Sequence, residues 1–474
     1  MSGDFIQRSV KAILSRWMIV LVLLGMLGGG AINAGAAATN TLVWDKEKGR
    51  VTADVRDWPL LELLENIAEQ TGWNIFVEPD ETFRSSVKFK DLATTQALRR
   101  LLGEMNFALQ PQTNGPPQLY VFRTAQGNAT QQVRQSLTRS AAKPQPIPNE
   151  LIIRVRPGTD VEALAKSLGA KVIGSIPELD AFRLEFESEE EAEAAREKLL
   201  ANDDVLSVET NYYVEPPLAP QSLGGMAAPE VKLKLDPSKP DGCNVIVGFV
   251  DTAMQSLDPK LEQFVRGRYS LDGKPVTMNT TASSAPTHAT TMASAFIQGV
   301  QSTGVSEAPI GIAAVDVFGP NAKADTFSVA KGMSVLVNQG KVTMINASLG
   351  SPSDSPILRD MVTRISKLGI PVFAAMGNDG STQPFFPAAY PESVAVTALG
   401  RAGQIAPYAN RGSTPDLAAP GAVIFSHNGL VYGSQGTSVS SAAAAGVVAG
   451  LAGATCTPVT QVIPSAQRVL AVPQ

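Results

Sequence analysis

The stretch Gly436-Thr437-Ser438-Val439-Ser440-Ser441-Ala442-Ala443-Ala444-Ala445-Gly446-Val447-Val448-Ala449-Gly450 sets a serine hydroxyl at the entrance of a long, small-residue helix. The chain has only 2 histidines. One of them, His288, lies upstream in Thr287-His288-Ala289-Thr290, and Asp251 closes the apolar run 244–250. These three residue types are the parts of an activated nucleophile. A hydroxyl attacks well only when a base takes its proton, imidazole does so near neutral pH, and a carboxylate holds the ring in the required tautomer. Each residue also has an ordinary reading taken alone: a capping serine, a loop histidine, a turn aspartate at a strand end.

Composition narrows the field. A chain of 474 residues has room for two to four domains, by the usual domain size. With 44% hydrophobic and 18% charged residues it is a globular protein. A net charge of -5 leaves no basic footprint for nucleic acid, so no nucleic-acid partner is expected. The 40 glycines, against 4 Trp and 7 Tyr, suggest many loops and tight packing of small residues.

The N-terminus reads as an export signal over residues 1–38. Arg8, Lys11 and Arg16 precede the apolar run 17–27, and small residues follow through Ala34-Gly35-Ala36-Ala37-Ala38. The apolar core falls short of the ~20 residues of a comfortable span. The alternative is an uncleaved anchor over 17–38, which Gly28-Gly29-Gly30 and Asn33 weaken. Export implies a periplasmic or extracellular location.

Residues 41–124 read as a small α+β unit. Asp57 is expected to cap a helix bearing Leu60, Leu61, Leu64 and Ile67 on one face, with Pro59 in its first turn and Gly72 as its stop. Strands over 73–77, 87–89 and 119–122 and a helix at 97–102 complete it. Residues 125–148, polar with three prolines, read as a linker. Residues 149–216 give a β-α-β-β-α-β order, with Gly169 ending the first helix and Ser188 and Glu191 forming a capping box for the second. From residue 241 to 456 short apolar runs at 245–250, 342–347, 372–375 and 394–398 read as strands of a parallel sheet buried on both faces. Asp251 then stands at a carboxyl end, where sites form in such sheets. Residues 217–240 read as a linker with an accessible cleavage site near Gly224-Gly225 and Ala227-Ala228, and 457–474 as a tail.

Residues 240–455 resemble the subtilase (peptidase S8) family. The motifs are Val250-Asp251-Thr252, Thr287-His288-Ala289-Thr290 with Met292-Ala293-Ser294, Met344-Ile345-Asn346-Ala347-Ser348-Leu349-Gly350, Ala374-Ala375-Met376-Gly377-Asn378-Asp379-Gly380 and Gly436-Thr437-Ser438. The resemblance implies a subtilisin-like α/β fold, a parallel sheet with helices on both faces. It implies peptide hydrolysis by Asp251, His288 and Ser438, and an oxyanion amide from Asn378. Ser348, Leu349 and Gly350 would pair with an extended polypeptide substrate. The family usually has glycine where this chain has Ala253 and Ala289. It usually has proline in place of Ala442, which would sit in the first helical turn. A non-catalytic scaffold is the rival that these departures favour. His427 lies outside every motif and reads as a surface loop residue.

Residues 149–216, ending in Val208-Glu209-Thr210-Asn211-Tyr212, resemble an inhibitor I9-like prodomain, which caps the active-site face and threads its tail through the cleft. An unrelated ferredoxin-like domain would show the same element order. Residues 41–124 resemble the short N-terminal domain of secretins and TonB-dependent receptors, a docking module for an envelope partner; a generic α+β domain is the alternative. Two small α+β domains thus precede the catalytic one. The family often binds calcium, but no ligand cluster is legible, so neither metal nor cofactor is assigned. Cys243 precedes Asp251 by eight residues of strand, about 26 Å. Cys456 follows Ser438 by eighteen residues of helix, about 27 Å. If Asp251 and Ser438 meet, both cysteines reach similar depths, and either a disulfide or two separate thiols results.

Overall fold

The computed structural model describes residues 40–473, apart from 47, 79–82, 113–115, 130, 134–143, 216, 224–226, 237–242 and 277–284, and only the backbone of 131–132. The expected export signal and Gly224-Gly225 lie outside the described residues.

The chain divides into two compact units, one of residues 1–58 and 85–101 and one of 59–84 and 102–474. Of the first unit, the described part is a three-stranded sheet of Thr41–Asp45, Arg50–Pro59 and the strand that follows Arg84, with most of the helix Thr94–Leu102. In the second, strands Asn106–Gln110, Gln118–Phe122, Asn74–Val77 and Gln131–Val133 form a sheet beside the helix Leu60–Thr71. Asp57 does not cap that helix. It lies within a strand at φ 47°, and Pro59 is the N-cap residue, with no side-chain bond to the helix. Strand Gln131–Val133 pairs with Asn74–Val77, so this part of the expected linker joins a sheet.

The core of the second unit is a seven-stranded sheet, all parallel. Its order is Val265–Tyr269, Ile310–Asp316, Val245–Asp251, Met344–Ala347, Val372–Ala375, Ser393–Leu399, Leu417–Pro420. Side chains alternate across a strand, so Val245, Val247 and Phe249 enter one core and Val250 the other. The first core is closed by helices His288–Ser302 and Thr437–Thr455, the second by Thr326–Asn338 and Pro356–Lys367. The Ser438 helix is apolar on every side because it is buried on nearly every side. It touches the His288 helix backbone to backbone. A Cβ on Gly446 would stand 2.1 Å from Phe296 O, and one on Gly299 would stand 2.2 Å from Ala443 O.

Residues 457–473 are no loose tail. Helix Val459–Ala466 and Leu470 pack into the first core, and Ala418 N donates to Leu470 O at 2.9 Å. Pro458 and Pro464 hide this helix from a propensity reading, but packing decides it. Cys243 and Cys456 are joined by a disulfide, their Cα atoms 4.5 Å apart.

The β-α-β-β-α-β segment is an antiparallel sheet ordered Val205–Val214, Pro146–Val155, Ala181–Glu185, Lys171–Ile176. Ser188 Oγ accepts from Glu191 N at 3.2 Å, the cap its sequence indicates. Strand Val205–Val214 runs six residues beyond the expected 205–208, and its end pairs with Ala324–Asp325. The sheet packs on helices Thr326–Asn338 and Pro356–Lys367; Gly174 leaves space for the Phe327 ring. Both helix N-termini receive a polar side chain from the edge strand. Asn211 Oδ1 accepts from Phe327 N (3.2 Å) and Thr326 Oγ1 (3.0 Å). Glu209 accepts from Ile357 N (2.9 Å) and Ser355 Oγ (3.0 Å), which satisfies donors that every helix start leaves open. Arg154 pairs with Asp360, and Arg183 joins Glu150 to Asp325 across the same boundary.

Burial pushes the Glu209 carboxyl up to about 7 against the pull of its two hydrogen bonds and Arg154, with Asp360 adding to the rise. The folded chain therefore holds this proton more tightly than the unfolded chain. The contribution is full below about 4.5 and is lost as pH rises through about 7. Glu209→Gln is expected to flatten the decline of stability across that window in thermal unfolding, and parallel declines in both chains would clear Glu209. The crosslink spans 213 residues. Replacing both cysteines by serine is expected to cost up to about 5 kcal/mol by loop-closure entropy, read as a lower Tm. An unchanged Tm would show it inert.

Candidate active site

Asp251 ends an interior strand, paired on both sides, and is 1% exposed. Thr252 N donates to its Oδ1 at 2.7 Å. His288 begins its helix, whose N-cap Thr287 accepts from Thr290 N through its hydroxyl. Gln255 fixes this start: its Oε1 accepts from Thr287 N at 2.9 Å, and its own N–H donates to Thr290 Oγ1. Nothing in the sequence singled out Gln255, whose role depends on a loop fold. His288 Nδ1 faces both Asp251 oxygens, at 2.8 and 2.9 Å. A carboxylate only accepts, so Nδ1 carries the proton and Nε2 is left as a base. On the next strand, burial raises the Asp316 carboxyl, opposed by the Gly319 and Phe318 amides, while the Asp251 charge adds to the rise.

Ser438 is the second residue of its helix. Its Oγ donates to Ser348 O at 2.9 Å, and Ser348 Oγ donates back to Ser438 O at 2.8 Å. Ser348 Oγ also accepts from Asn346 Nδ2, and Asn346 Oδ1 accepts from Ser441 Oγ, both at 2.8 Å. This buried chain fastens the helix start to the end of strand Met344–Ala347. Among the described residues, Ser438 makes no hydrogen bond to His288, although both line one cleft. Asn378 lines it too. Its Oδ1 accepts from Thr437 N (2.7 Å) and Thr437 Oγ1 (3.0 Å), which turns Nδ2 to the other side, where it donates to no described acceptor. Gly377 sits at φ 94° against Asn410, where a Cβ would come within 2.3 Å of Nδ2. Asn410 Oδ1 accepts from Asp379 N and Ser381 N and so shapes the Asn378 loop.

Ser348, Leu349 and Gly350 form one wall, and residues 215, 217 and 218 lie in the cleft against them. Glu215 N donates to Gly350 O at 3.0 Å. Further on, Gln221 and Ser222 pair with Gly433 and Tyr432. The polypeptide thus enters along 348–350, passes Ser438 and leaves along strand Leu430–Gln435. Part of the expected linker 217–240 is therefore held in place.

The three alanines are accommodated. Neither Ala253 nor Ala289 has a positive φ, so neither needs glycine. Ala289 is fully buried, its N–H on Thr252 Oγ1 at 3.1 Å. Ala442 lies in the second helical turn rather than the first, and is fully buried. His427 is not a surface loop residue. It ends strand Ala422–His427, is 3% exposed, meets Asn428 Nδ2 at 3.2 Å, and burial lowers its affinity for a proton. It stands outside the cleft. Among the described residues no three His, Cys, Asp or Glu side chains converge as a metal site.

Comparison with known proteins agrees with this geometry. The subtilase family profile matches residues 242–456, and a fervidolysin N-terminal prodomain profile matches 133–211. The chain is 32% identical over 214 residues to subtilisin amylosacchariticus of Bacillus subtilis subsp. amylosacchariticus, covering 44% of this chain and 55% of that one. It therefore spans about half of that relative's length. It is also 32% identical to the subtilisin of Bacillus pumilus, covering 44% of this chain and 76% of that one. In fold it is similar to fervidolysin from Fervidobacterium pennivorans, with TM-score 0.52 and 19% identity over 67% of this chain and 56% of that one. A cleft lined by His288 and Ser438 with Asp251 bonded behind the ring, an upstream domain of prodomain type and a match to most of a subtilisin together show that the chain belongs to the subtilase family.

Proposed function

We propose that the protein is an exported serine endopeptidase of subtilisin type, made as a zymogen and inhibited by its own residues 149–216. The observation that carries this is the bonded pair Asp251–His288 sharing a cleft with Ser438, Asn378 and a strand of the chain itself. In this reading His288 Nε2 takes the Ser438 proton as Oγ attacks a carbonyl of an extended polypeptide lying on Ser348–Gly350. The oxyanion forms between Asn378 Nδ2 and the Ser438 N–H, at the positive end of the helix. His288, as imidazolium stabilised by Asp251, gives the proton to the departing amine. Water then returns along the same path to free the acyl-serine.

The tail pairing supports a first cut within 217–222, narrower than 217–240. Residues 149–216 act as the I9-like inhibitor. Residues 41–124 act as the docking module of secretin and TonB-receptor type for an envelope partner, and retain the protease in the periplasm or at the cell surface. The second reading, a catalytically silent scaffold, draws on one observation: the Ser438 hydroxyl is bonded to Ser348 O and not to His288.

A fluorophosphonate probe separates the two readings. The processed chain is expected to be labelled at Ser438, and an unlabelled processed domain would favour the scaffold. Ser438→Ala should leave the purified chain uncut while wild type releases its catalytic domain; equal processing of both would end the self-cleavage claim. Asn378→Ala is expected to lower kcat by roughly 10²–10³ with KM little changed, as the loss of one oxyanion donor does.

A further inference from the structure

The tail holds a residue that a good substrate would not present. Glu215 N donates to Gly350 O. If the tail runs antiparallel to 348–350 from that bond onward, residue 217 stands opposite Ser348, since ladder partners step by two on each strand. Pro217 lines the cleft together with Ser348, His288 and Ser438, as that register needs. An ordinary residue at 217 would donate its N–H to Ser348 O. Proline has no N–H to donate. The acceptor is taken instead by the nucleophile, whose Oγ donates to Ser348 O at 2.9 Å while Ser348 Oγ donates back to Ser438 O.

We propose that Pro217 is an autoinhibitory positioning residue: by withholding an N–H from Ser348 O, it leaves that carbonyl to hold the Ser438 hydroxyl away from His288. The tail lies where a substrate lies, yet it keeps the nucleophile in its resting bond. A polypeptide with an N–H at this position competes for Ser348 O, and the released hydroxyl turns to His288. Selection against proline at the same register in other substrates follows from the same exchange. The effect on rate rests on the protease reading above; the exchange of hydrogen bonds does not.

The test compares full-length wild type, Pro217→Ala and Pro220→Ala. Pro220 belongs to the same tail but lies three residues beyond the Ser348 register. Pro217→Ala is expected to process itself roughly ten-fold faster, the scale of one hydrogen bond in the barrier, while Pro220→Ala stays within about twofold. The second readout needs no activity. The chain has 2 histidines, so ring ¹⁵N spectra of the unprocessed chains resolve His288 from His427. The Nε2 resonance of His288 is expected to move toward that of a hydrogen-bond acceptor in Pro217→Ala and to stay put in Pro220→Ala. An unmoved His288 resonance overturns the proposal whether or not any chain processes. Equal acceleration by Pro220→Ala overturns it too, by showing mere slackening of the tail. If no chain processes at all, the protease reading fails, and the resonance alone decides this one.

Discussion

The site depends on the contact of two helix backbones. Helices His288–Ser302 and Thr437–Thr455 carry His288 and Ser438 at their starts, and each can approach the other only because glycine and alanine line the contact. Gly299 meets Ala443 O and Gly446 meets Phe296 O at distances that no side chain could share. A larger residue at either place would wedge the helices apart and carry His288 from Ser438. Ångström-scale errors are costly in chemistry built on positioning. The poverty of the Ser438 helix in large side chains is thus a requirement of the site and not only of the core.

Around that contact the polar groups are arranged in a closed order. Asp251 holds His288, Gln255 and Thr287 hold the start of its helix, Asn346 and Ser348 hold the start of the serine helix, and Thr437 aims Asn378. Buried polar networks stabilise only when every member is satisfied, so each link constrains its neighbours. The prodomain exploits the opposite condition. Two helix starts in the catalytic domain offer unpaired amides, and Glu209 and Asn211 fill them.

The fold was legible where a pattern repeats. Buried strands show as short apolar runs, and Gly169 and Ser188 mark helix ends by backbone chemistry that travels with the residue. The candidate residues Asp251, His288 and Ser438 stand out in the sequence because their neighbours form recognisable words, and the fold brings His288 beside Asp251 and into one cleft with Ser438. Features that depend on tertiary partners were not. Helix Val459–Ala466 is interrupted by prolines and stands by packing; His427 is buried by its hairpin; Gln255 acts through a loop. Glu209 and Asn211 stood in the sequence only as a motif, since an acceptor has no role until a helix start lies opposite it.

The disulfide closes the catalytic domain into a ring. Cys243 stands at the head of the Asp251 strand and Cys456 caps the C-terminus of the Ser438 helix, so the polypeptide between them is one covalent loop. A single nick anywhere within it opens the loop but frees no fragment. One accidental proteolytic cut within the loop is then survivable. The ends of the nicked loop stay tethered beside the sheet that they left.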